Sequence, residues 1–438
     1  MQRCDMPQDT QTDLSETTST PARIDNPPWH RASSGLAAFL LGKLLSAFIR
    51  RGQLEVLLPE GRRIEAGSGE PHVRVRIVDP TTVWRILRNP DLGLGEAYMD
   101  GKLVVENAEI YDLIALAMQN VGLADGPGPM KVHAALLYLM RRLTQYNPLT
   151  KSRQNVAHHY DLSDRLYDLF LDPSRQYSCA YFSKPDDTLD VAQHNKMRHI
   201  AAKLLLAPGQ KVLDIGSGWG GLARHLATTA AVNVTGLTLS VEQFDYSNKA
   251  ARQDNLADRV SFKLQDYRKE EGRYDRIVSV GMFEHVGVGH YKQYFAQVAS
   301  LLADEGVALI HTIGSVRPPR ATSQWMNKYI FPGAYAPSLS EIAPAIEQAG
   351  LYTNDIEVLR LHYAQTLLAW RKRFMAARTQ VAAIYDERFC RMWEYYLAYC
   401  EGAFRHTGLV VFQIQISKRI GTVPQTRDYI SAWEQQHS

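Results

Sequence analysis

The feature that most constrains the fold of this chain is a glycine-rich turn between a short apolar run and a helical pattern. Residues 212–215 read as a buried strand, residues 216–221 alternate glycines with other residues, and residues 222–227 begin a helix. Glycine lets the backbone approach a ligand closely, and the start of a helix offers free N–H donors. The stretch therefore predicts a nucleotide site at the end of a strand.

Two later strands bear on which nucleotide cofactor such a turn would bind. Three of its glycines satisfy the dinucleotide pattern, but a dinucleotide site expects an acidic residue at the end of the second strand. That strand, residues 232–237, is followed by Thr-Leu-Ser instead. The third strand, residues 260–264, is followed by Gln265, Asp266 and Tyr267, and an amide or acid next to a ring suits an adenine. We favour S-adenosylmethionine (SAM) over the alternative, NAD.

Composition limits the remaining classes of protein. The 438 residues, 45% apolar and 22% charged, are typical of an ordinary folded chain of two or three domains. A formal net charge of +3 does not indicate a nucleic-acid partner. The four cysteines lack C-x-x-C spacing, so we expect no metal site, no disulfide framework and a cytoplasmic location. No apolar run reaches the roughly 18 residues of a membrane span, so any contact with lipid is expected from the surface.

The chain divides into four parts by composition and pattern. We predict a disordered tail over residues 1–30 and an N-terminal α+β domain over residues 31–121, for which lipid binding is one candidate role. A linker with a short helix follows over residues 122–154. Residues 155–438 form the last part, a Rossmann-like, doubly wound α/β domain. Within the N-terminal domain, the glycines of residues 93–101 predict a loop.

Two further stretches each leave two interpretations open. Residues 35–51 place apolar side chains at helical spacing and end in basic residues. Such a helix packs on its own domain, which we favour, or rests on anionic lipid. Residues 325–339 are rich in Trp, Tyr, Phe and Pro, which is compatible with an apolar channel or with ordinary core.

Acidic and imidazole side chains follow two strands of the predicted sheet. Glu284 and His285 come after the fourth strand, residues 275–280, and His311 follows the fifth strand, residues 307–310. Ligands of open α/β sheets bind at the carboxyl ends of the strands. The Glu284–His285 pair is therefore a candidate for chemistry, with a solvated helix cap as the alternative, and His311 is expected at the same edge of the sheet.

Taken together, the motifs resemble those of the cyclopropane-fatty-acyl-phospholipid synthases and the related mycolic acid cyclopropane synthases. The resemblance extends from about residue 155 to residue 419. It rests on eight motifs in order, which are residues 159–163, 176–182, 214–220, 238–243, 283–285, 311–313, 329–333 and 399–402. The N-terminal unit also resembles the extra domain of the phospholipid-acting branch.

The resemblance implies a SAM-dependent C-methyltransferase. It implies transfer of a methyl group to a cis double bond of a phospholipid acyl chain, and closure of a cyclopropane ring from a carbocation that bound bicarbonate deprotonates. It also implies a peripheral contact with the inner membrane face and a homodimer. Two alternatives stay open: a methylene or methyl-branched product from the same cofactor, and a non-catalytic lipid-binding protein of the same fold.

Carried over residue by residue, the resemblance assigns three sets of site residues. The catalytic set is Glu284, His311, Tyr363 and Cys400, of which Cys400 is expected to line the pocket rather than to attack. The cofactor-binding set is Tyr177, Ser178, Gly216, Ser217, Gly218, Trp219, Gly220, Thr238, Leu239, Ser240, Gln243, Tyr267 and Arg268. The bicarbonate set is Cys179 through its backbone, Glu284, His311, Ile313 and Tyr363.

Overall fold

The chain folds around two β-sheets. The computed structural model describes residues 28–121 and 163–437. The tail predicted for residues 1–30 lies mostly outside the described residues, although a helix already begins at Pro28. The predicted linker, its short helix and the first residues of the predicted catalytic domain also lie outside them. None of the described helices is long and apolar enough to cross a membrane.

The first described part combines a small sheet with helices. In chain order its elements are α1 (Pro28–Phe48), β1 (Gly52–Leu57), β2 (Arg63–Ser68), β3 (His72–Ile77), α2 (Pro80–Arg88), α3 (Pro90–Met99), β4 (Leu103–Val105) and α4 (Ile110–Asn120). The sheet order is β2-β1-β3-β4, in which β1 and β3 are parallel and the other pairs antiparallel. Alternate residues of β3, namely Val73, Val75 and Ile77, are buried, so one face of the sheet meets the core.

One segment of this part differs from the prediction. Residues 93–101 were predicted as a loop, but most of them belong to α3. The Asn89 side chain caps this helix by accepting a hydrogen bond from the Leu92 N–H at 3.2 Å. A Cβ atom on Gly95 would lie only 2.3 Å from the Trp325 ring. The loop prediction was wrong because this glycine allows close packing rather than a turn.

The second described part contains the larger sheet. Its helices are α5 (Asp164–Asp168), α6 (Leu189–Lys203), α7 (Gly221–Ala230), α8 (Val241–Gln253), α9 (Tyr291–Leu301), α10 (Gln324–Tyr329), α11 (Leu339–Gln348), α12 (His362–Ala376), α13 (Arg378–Ile384), α14 (Glu387–His406) and α15 (Asp428–Gln436). Its strands are β5 (Lys211–Ile215), β6 (Asn233–Thr238), β7 (Val260–Leu264), β8 (Tyr274–Val280), β9 (Leu302–Ser315), β10 (Tyr352–Leu359) and β11 (Leu409–Ser417). The strand order is β10-β11-β9-β8-β5-β6-β7.

The predicted doubly wound α/β sheet is confirmed. Strands β5 to β9 are mutually parallel, and the antiparallel β11 lies between β9 and β10. Neighbouring residues of β5 face opposite sides, as Val212 packs with helices α6 and α7 and Leu213 with helices α9 and α11. The sheet is therefore covered by helices on both faces, as is usual for parallel strands.

Strand β9 is longer than predicted. The sequence indicated a strand over residues 307–310, whereas β9 continues to Ser315 and contains His311. His311 nevertheless pairs with Val280, the last residue of β8. It therefore lies level with the carboxyl end of β8, where the prediction placed it.

The two described parts share one hydrophobic core. Trp325 of α10, Trp370 of α12 and Trp393 of α14 are fully buried in a cluster that also contains the core of the N-terminal sheet. Helix α14 packs on both α4 and α3. The N-terminal unit is thus built into the wall that α10, α12 and α14 form beside the large sheet.

Candidate active site

A cleft opens where the strand order of the large sheet reverses. Strands β5 and β8 are neighbours, but the chain continues from them to opposite sides of the sheet, so the loops that follow them separate. The cleft holds about 1260 Å³ of empty space, part of it open to solvent. It is lined by residues 175–178, 214–219, 221–222, 237–239, 243, 265–268, 280–282 and 285–286. These residues include the segments that follow four consecutive parallel strands.

The glycine-rich turn after β5 forms one wall of the cleft. Gly216 has a φ of +87°, and a Cβ atom there would lie 2.9 Å from the Met282 side chain. The N–H groups of Gly216 and Ser217 donate to the Leu237 carbonyl oxygen at 3.0 and 2.9 Å, which ties the turn to the end of β6. Helix α7 begins directly after the turn and presents its first N–H groups to the cleft.

The end of β7 supplies a fixed ring and a fixed carboxylate. Asp266 accepts two hydrogen bonds from the Arg268 guanidinium, at 2.8 and 2.7 Å. The Tyr267 ring packs edge-on against Tyr294, with centroids 5.3 Å apart. Both side chains are thereby held at the cleft, in the place where the sequence indicated contacts to an adenine.

Most residues assigned to the cofactor from the sequence line this cleft. Eleven of the thirteen do so, the two others being Gly220 and Ser240. Gly220 lies under Phe262, whose ring would be 2.5 Å from a Cβ atom at this position. Ser240 caps helix α8 by accepting a hydrogen bond from the Gln243 N–H at 3.3 Å. Both residues support the elements that form the cleft, and neither lines it.

Two buried charged residues at the cleft were missing from the predicted set. Lys196 of α6 donates to the Gln176 amide oxygen at 2.5 Å and to the Ser178 hydroxyl at 2.9 Å. The Asp214 Oδ2 atom has no hydrogen-bond partner among the described residues, and burial raises the pKa of Asp214 to about 7. Such an acceptor suits a cationic group of a ligand. Lys196 gave no signal in the sequence, because a lysine within a helix usually indicates an exposed position.

Glu284 lies in a buried turn of 3-10 helix just after β8. Its Oε1 atom accepts a hydrogen bond from the Ile313 N–H at 2.6 Å. Its Oε2 atom has no hydrogen-bond partner among the described residues. Burial raises the pKa of Glu284 to about 7, and the Ile313 N–H opposes this shift. The Oε1 atom is thus held by a hydrogen bond, and the Oε2 atom can accept one from a ligand.

His311 presents a similar arrangement on β9. Its Nδ1 atom lies 3.2 Å from the Gln413 amide nitrogen on β11. Its Nε2 atom is buried and has no hydrogen-bond partner within the described ranges. Burial, reinforced by the positive charges of Lys196 and Lys203, lowers the pKa of His311 to about 3. The ring is therefore neutral at physiological pH.

Aromatic rings surround the remaining predicted residues. Tyr177 stacks on Trp370 with centroids 5.1 Å apart, and Tyr363 meets Trp370 edge-on at 5.9 Å. Tyr363 lies within electrostatic reach of Cys179, Cys400 and Glu284, so the structure brings these groups together.

The two cysteines are poor nucleophiles in this environment. Burial raises the pKa of Cys400 to about 12 and that of Cys179 further. Both thiols therefore stay protonated at physiological pH, as the expected pocket-lining role of Cys400 requires.

The predicted channel segment contributes partly to the core. Trp325 is fully buried and meets Tyr395 at 4.6 Å, while Phe331 lies edge-on to Tyr396 at 5.8 Å. The Tyr396 hydroxyl in turn hydrogen-bonds the Tyr177 hydroxyl at 2.7 Å. The start of the segment is thus ordinary core, and Phe331 connects it to the rings beside the cleft.

Comparison with known proteins identifies the family. A family model described as mycolic acid cyclopropane synthetase matches residues 147–414. The chain belongs to this family. A second model, described as a domain of unknown function, matches residues 41–123.

Several characterised relatives align over most of the chain. It is 39% identical over 357 residues to the cyclopropane-fatty-acyl-phospholipid synthase of Escherichia coli (strain K12), with 81% of this chain and 90% of the relative covered. It is 33% identical over 423 residues to a tuberculostearic acid methyltransferase of Mycobacterium tuberculosis, with 91% and 97% covered. A solved mycolic acid cyclopropane synthase, complexed with SAH and CTAB, matches with a TM-score of 0.58 and 33% identity over 62% of this chain and 99% of that chain.

These similarities, together with the cleft, establish the cofactor and the enzyme class. The chain is a SAM-dependent methyltransferase, and its relatives include cyclopropane-fatty-acyl-phospholipid synthases and other lipid methyltransferases. The cleft fits this cofactor, because Gly216 leaves room for close backbone approach and the Asp214 Oδ2 atom offers an acceptor for a cationic ligand.

Proposed function

We propose that this enzyme methylates a cis double bond in an acyl chain of a membrane phospholipid and closes a cyclopropane ring. The observation that carries the proposal is the composition of the site beside the cleft. A buried carboxylate oxygen of Glu284 and a buried ring nitrogen of His311 lack hydrogen-bond partners among the described residues, and the rings of Tyr177 and Tyr363 lie close by. These two polar atoms can stabilise a charge that forms for a short time during the reaction.

Bound SAM supplies an electrophilic methyl group. When the alkene takes up this methyl group, the methyl–sulfur bond would break with its electron pair staying on sulfur, S-adenosylhomocysteine would be left, and one carbon of the former double bond would become cationic. The ring closes when a C–H bond of the new methyl group breaks, its electron pair forms the third C–C bond, and a proton leaves. The task of the protein is therefore to stabilise a cation, to exclude water and to receive one proton.

The residues of the site suit the first two tasks. The Glu284 carboxylate is held by the Ile313 N–H, and its second oxygen atom is buried without a hydrogen-bond partner among the described residues. The Tyr363 ring, fixed by Phe404 at 4.7 Å and by Trp370 at 5.9 Å, offers a π face to a cation. Cation stabilisation by a ring and a buried carboxylate avoids a water molecule, which would trap the cation as an alcohol.

A small anion between Glu284 and His311 would serve the third task. The donors and acceptors present fit bicarbonate, because the Glu284 Oε2 atom can accept from its hydroxyl group and a His311 Nε2–H can donate to its oxygen atoms. Bicarbonate would supply a weak base beside the cation. The Ile313 N–H is already donated to Glu284, so Ile313 supports the site through that carboxylate. Cys179 and Tyr363 complete the proposed shell.

The proposed substrate requires access from a membrane surface. On helix α1, Leu36, Phe39 and Leu40 lie on one face and are 55%, 58% and 39% exposed. Lys43 and Arg50 are exposed near the end of the same helix. This combination suits peripheral contact with anionic lipid at the inner membrane face. A homodimer, expected from the resemblance, would bring two such faces to one membrane.

An alternative product follows from the same chemistry. If a hydride first shifts from the methyl-bearing carbon to the cationic carbon, loss of a proton from the methyl group gives a methylene group, and later reduction gives a methyl branch. The similarity to a tuberculostearic acid methyltransferase, which covers 91% of this chain, supports this alternative.

The experiment that distinguishes these products uses purified protein, methyl-labelled SAM and vesicles of cis-monounsaturated phospholipid. Mass spectrometry of the released acids follows, before and after mild hydrogenation. We expect a labelled chain that is heavier by one CH₂ group and resists hydrogenation. A labelled chain that takes up hydrogen would support the methylene product, and no label in lipid would contradict both proposals. Turnover should also fall in bicarbonate-depleted buffer and recover on addition; no change would contradict the bicarbonate shell.

A further inference from the structure

A chain of buried polar contacts leads from helix α6 to His311. Lys203, at the end of α6, donates a hydrogen bond from Nζ to the Gln413 Oε1 atom at 2.8 Å. The amide nitrogen of Gln413 then lies 3.2 Å from the Nδ1 atom of His311. All three side chains are at most 2% exposed. Residues of a helix, of β11 and of β9 are thus connected across the sheet without water.

The chemistry of the donors fixes the direction of every bond in this chain. An ammonium group can only donate, so the Gln413 side chain must present its oxygen atom to Lys203. Its NH₂ group therefore faces His311 and can only donate to Nδ1. A ring nitrogen that accepts a hydrogen bond carries no proton. The neutral His311 ring must then carry its single proton on Nε2, the atom that has no other partner among the described residues.

Other groups around the imidazole support the neutral form. The charged or titratable groups that act on it are Lys196, His199 and Lys203 of α6 and Glu357 of β10. The first three oppose a positive charge on the ring, and only Glu357 favours one. Glu357 also contacts Lys203 and accepts from His199, which keeps a counter-charge beside the ammonium group.

We propose that Lys203 and Gln413 are positioning residues that hold His311 as the neutral Nε2–H tautomer, so that His311 donates a hydrogen bond to the small anion of the reaction. This inference rests on the proposed function for the identity of the anion. It assigns to Lys203 of α6 and to Gln413 of β11 a role that they exert through His311. It also accounts for the burial of a lysine at the end of α6 and of a glutamine on β11.

The first test reads the tautomer itself and does not depend on lipid turnover. The protein is labelled with ¹⁵N-histidine, and the His311 signals are assigned with a His311→Asn variant. We expect shifts of an Nε2–H tautomer in the wild-type protein. In Gln413→Glu, the carboxylate still pairs with Lys203 but can only accept from His311, so the proton should move to Nδ1. The same tautomer in both proteins would overturn the proposal.

The second test measures turnover against pH. At pH 8 the Gln413→Glu enzyme should lose on the order of 100-fold in kcat, because its His311 Nε2 atom accepts instead of donating. As the pH falls towards 6, its activity relative to wild type should rise, because the new carboxylate raises the pKa of His311 and the doubly protonated ring again carries an Nε2–H. Burial raises the pKa of Glu284 to about 7, and Gln413→Glu leaves the Ile313 contact of Glu284 in place, so the ratio of the two activities removes the contribution of Glu284. A ratio that is independent of pH would overturn the proposal.

A neighbouring glutamine offers a matched control. Gln415 lies two residues further on the same strand, is equally buried and donates to the Lys203 carbonyl oxygen at 2.6 Å, but does not contact His311. Gln415→Glu should therefore change stability without changing the His311 tautomer or the shape of the pH profile. If Gln415→Glu reproduces the pH profile of Gln413→Glu, the effect is merely structural and the proposal fails. If wild type methylates no lipid, the proposed function fails while the tautomer test still stands.

Discussion

The backbone of Glu284 is held by contacts of the preceding residue and by a hydrogen bond from a distant one. Phe283 is fully buried and stacks on Tyr291 with centroids 4.5 Å apart, which anchors the short turn after β8. The Glu284 carbonyl oxygen accepts from the Tyr335 N–H at 3.0 Å. The backbone is therefore fixed at both ends of the residue, and the carboxylate cannot move to find a cationic partner. A pKa raised to about 7 follows from that position.

Replacement of this carboxylate by an amide should separate chemistry from cofactor binding. We expect Glu284→Gln to lower kcat by at least about 100-fold, because the charge that stabilises a cation is lost. The affinity for SAM should change by less than about twofold, since Glu284 does not line the cleft. Turnover assays and calorimetric titration with SAM measure the two effects. A parallel loss of both would show that Glu284 supports the cleft and has no separate role in the reaction.

Helix α3 forms although its sequence contains residues of low helix propensity. Glycine inside a helix costs about 1 kcal/mol relative to alanine, and α3 contains two. The helix forms because a Cβ atom at Gly93 would meet the Arg85 carbonyl oxygen at 2.7 Å, so only glycine lets α3 approach α2. Its Asp91 carboxylate in turn accepts from the Gln324 N–H at 2.6 Å at the start of α10. Helix α3 thus connects the N-terminal unit to the wall that α10, α12 and α14 form beside the large sheet.

An added methyl group at the contact with α10 should be costly. In Gly95→Ala the new Cβ atom would lie within 2.4 Å of two atoms of the Trp325 indole, which is fully buried and cannot move aside. We expect the free energy of unfolding to fall by about 1–3 kcal/mol. Gly35→Ala in α1 is the control, because its Cβ atom meets nothing within 4 Å and should stabilise the helix by up to about 1 kcal/mol. Denaturant unfolding of both variants measures this, and equal effects would contradict the packing argument.

The sequence predicted those features of the whole molecule that depend on short stretches of chain. The parallel strands and the glycine turn are each encoded in a short stretch of chain, where apolar period and turn chemistry are informative. Strands β10 and β11 were not predicted, because their pairing depends on contacts far along the chain. The same holds for Lys203, whose partner Gln413 is 210 residues away. Buried polar contacts of this kind leave no local pattern.

The predictions for the active site had a similar limit. Motif resemblance placed Glu284, His311 and Tyr363 at the site, but it could not reveal which of their atoms already have partners. In the structure Ile313 holds one oxygen atom of Glu284, and Gln413 faces one nitrogen atom of His311. The proposed chemistry depends on the Glu284 Oε2 and His311 Nε2 atoms, which have no hydrogen-bond partner among the described residues, and this follows only from the packing of the whole sheet.

Contact of the whole molecule with a membrane can be tested on helix α1. Leu36 and Phe39 are more than half exposed, and each apolar side chain of this size gains about 1.5–3 kcal/mol when fully buried. Leu36→Ser combined with Phe39→Ser should therefore weaken binding to anionic phospholipid vesicles by at least about tenfold in a sedimentation assay. Ile420→Ser is the control, because Ile420 is 78% exposed but stands apart from α1 in the chain. Unchanged binding by the double variant would assign α1 a packing role alone.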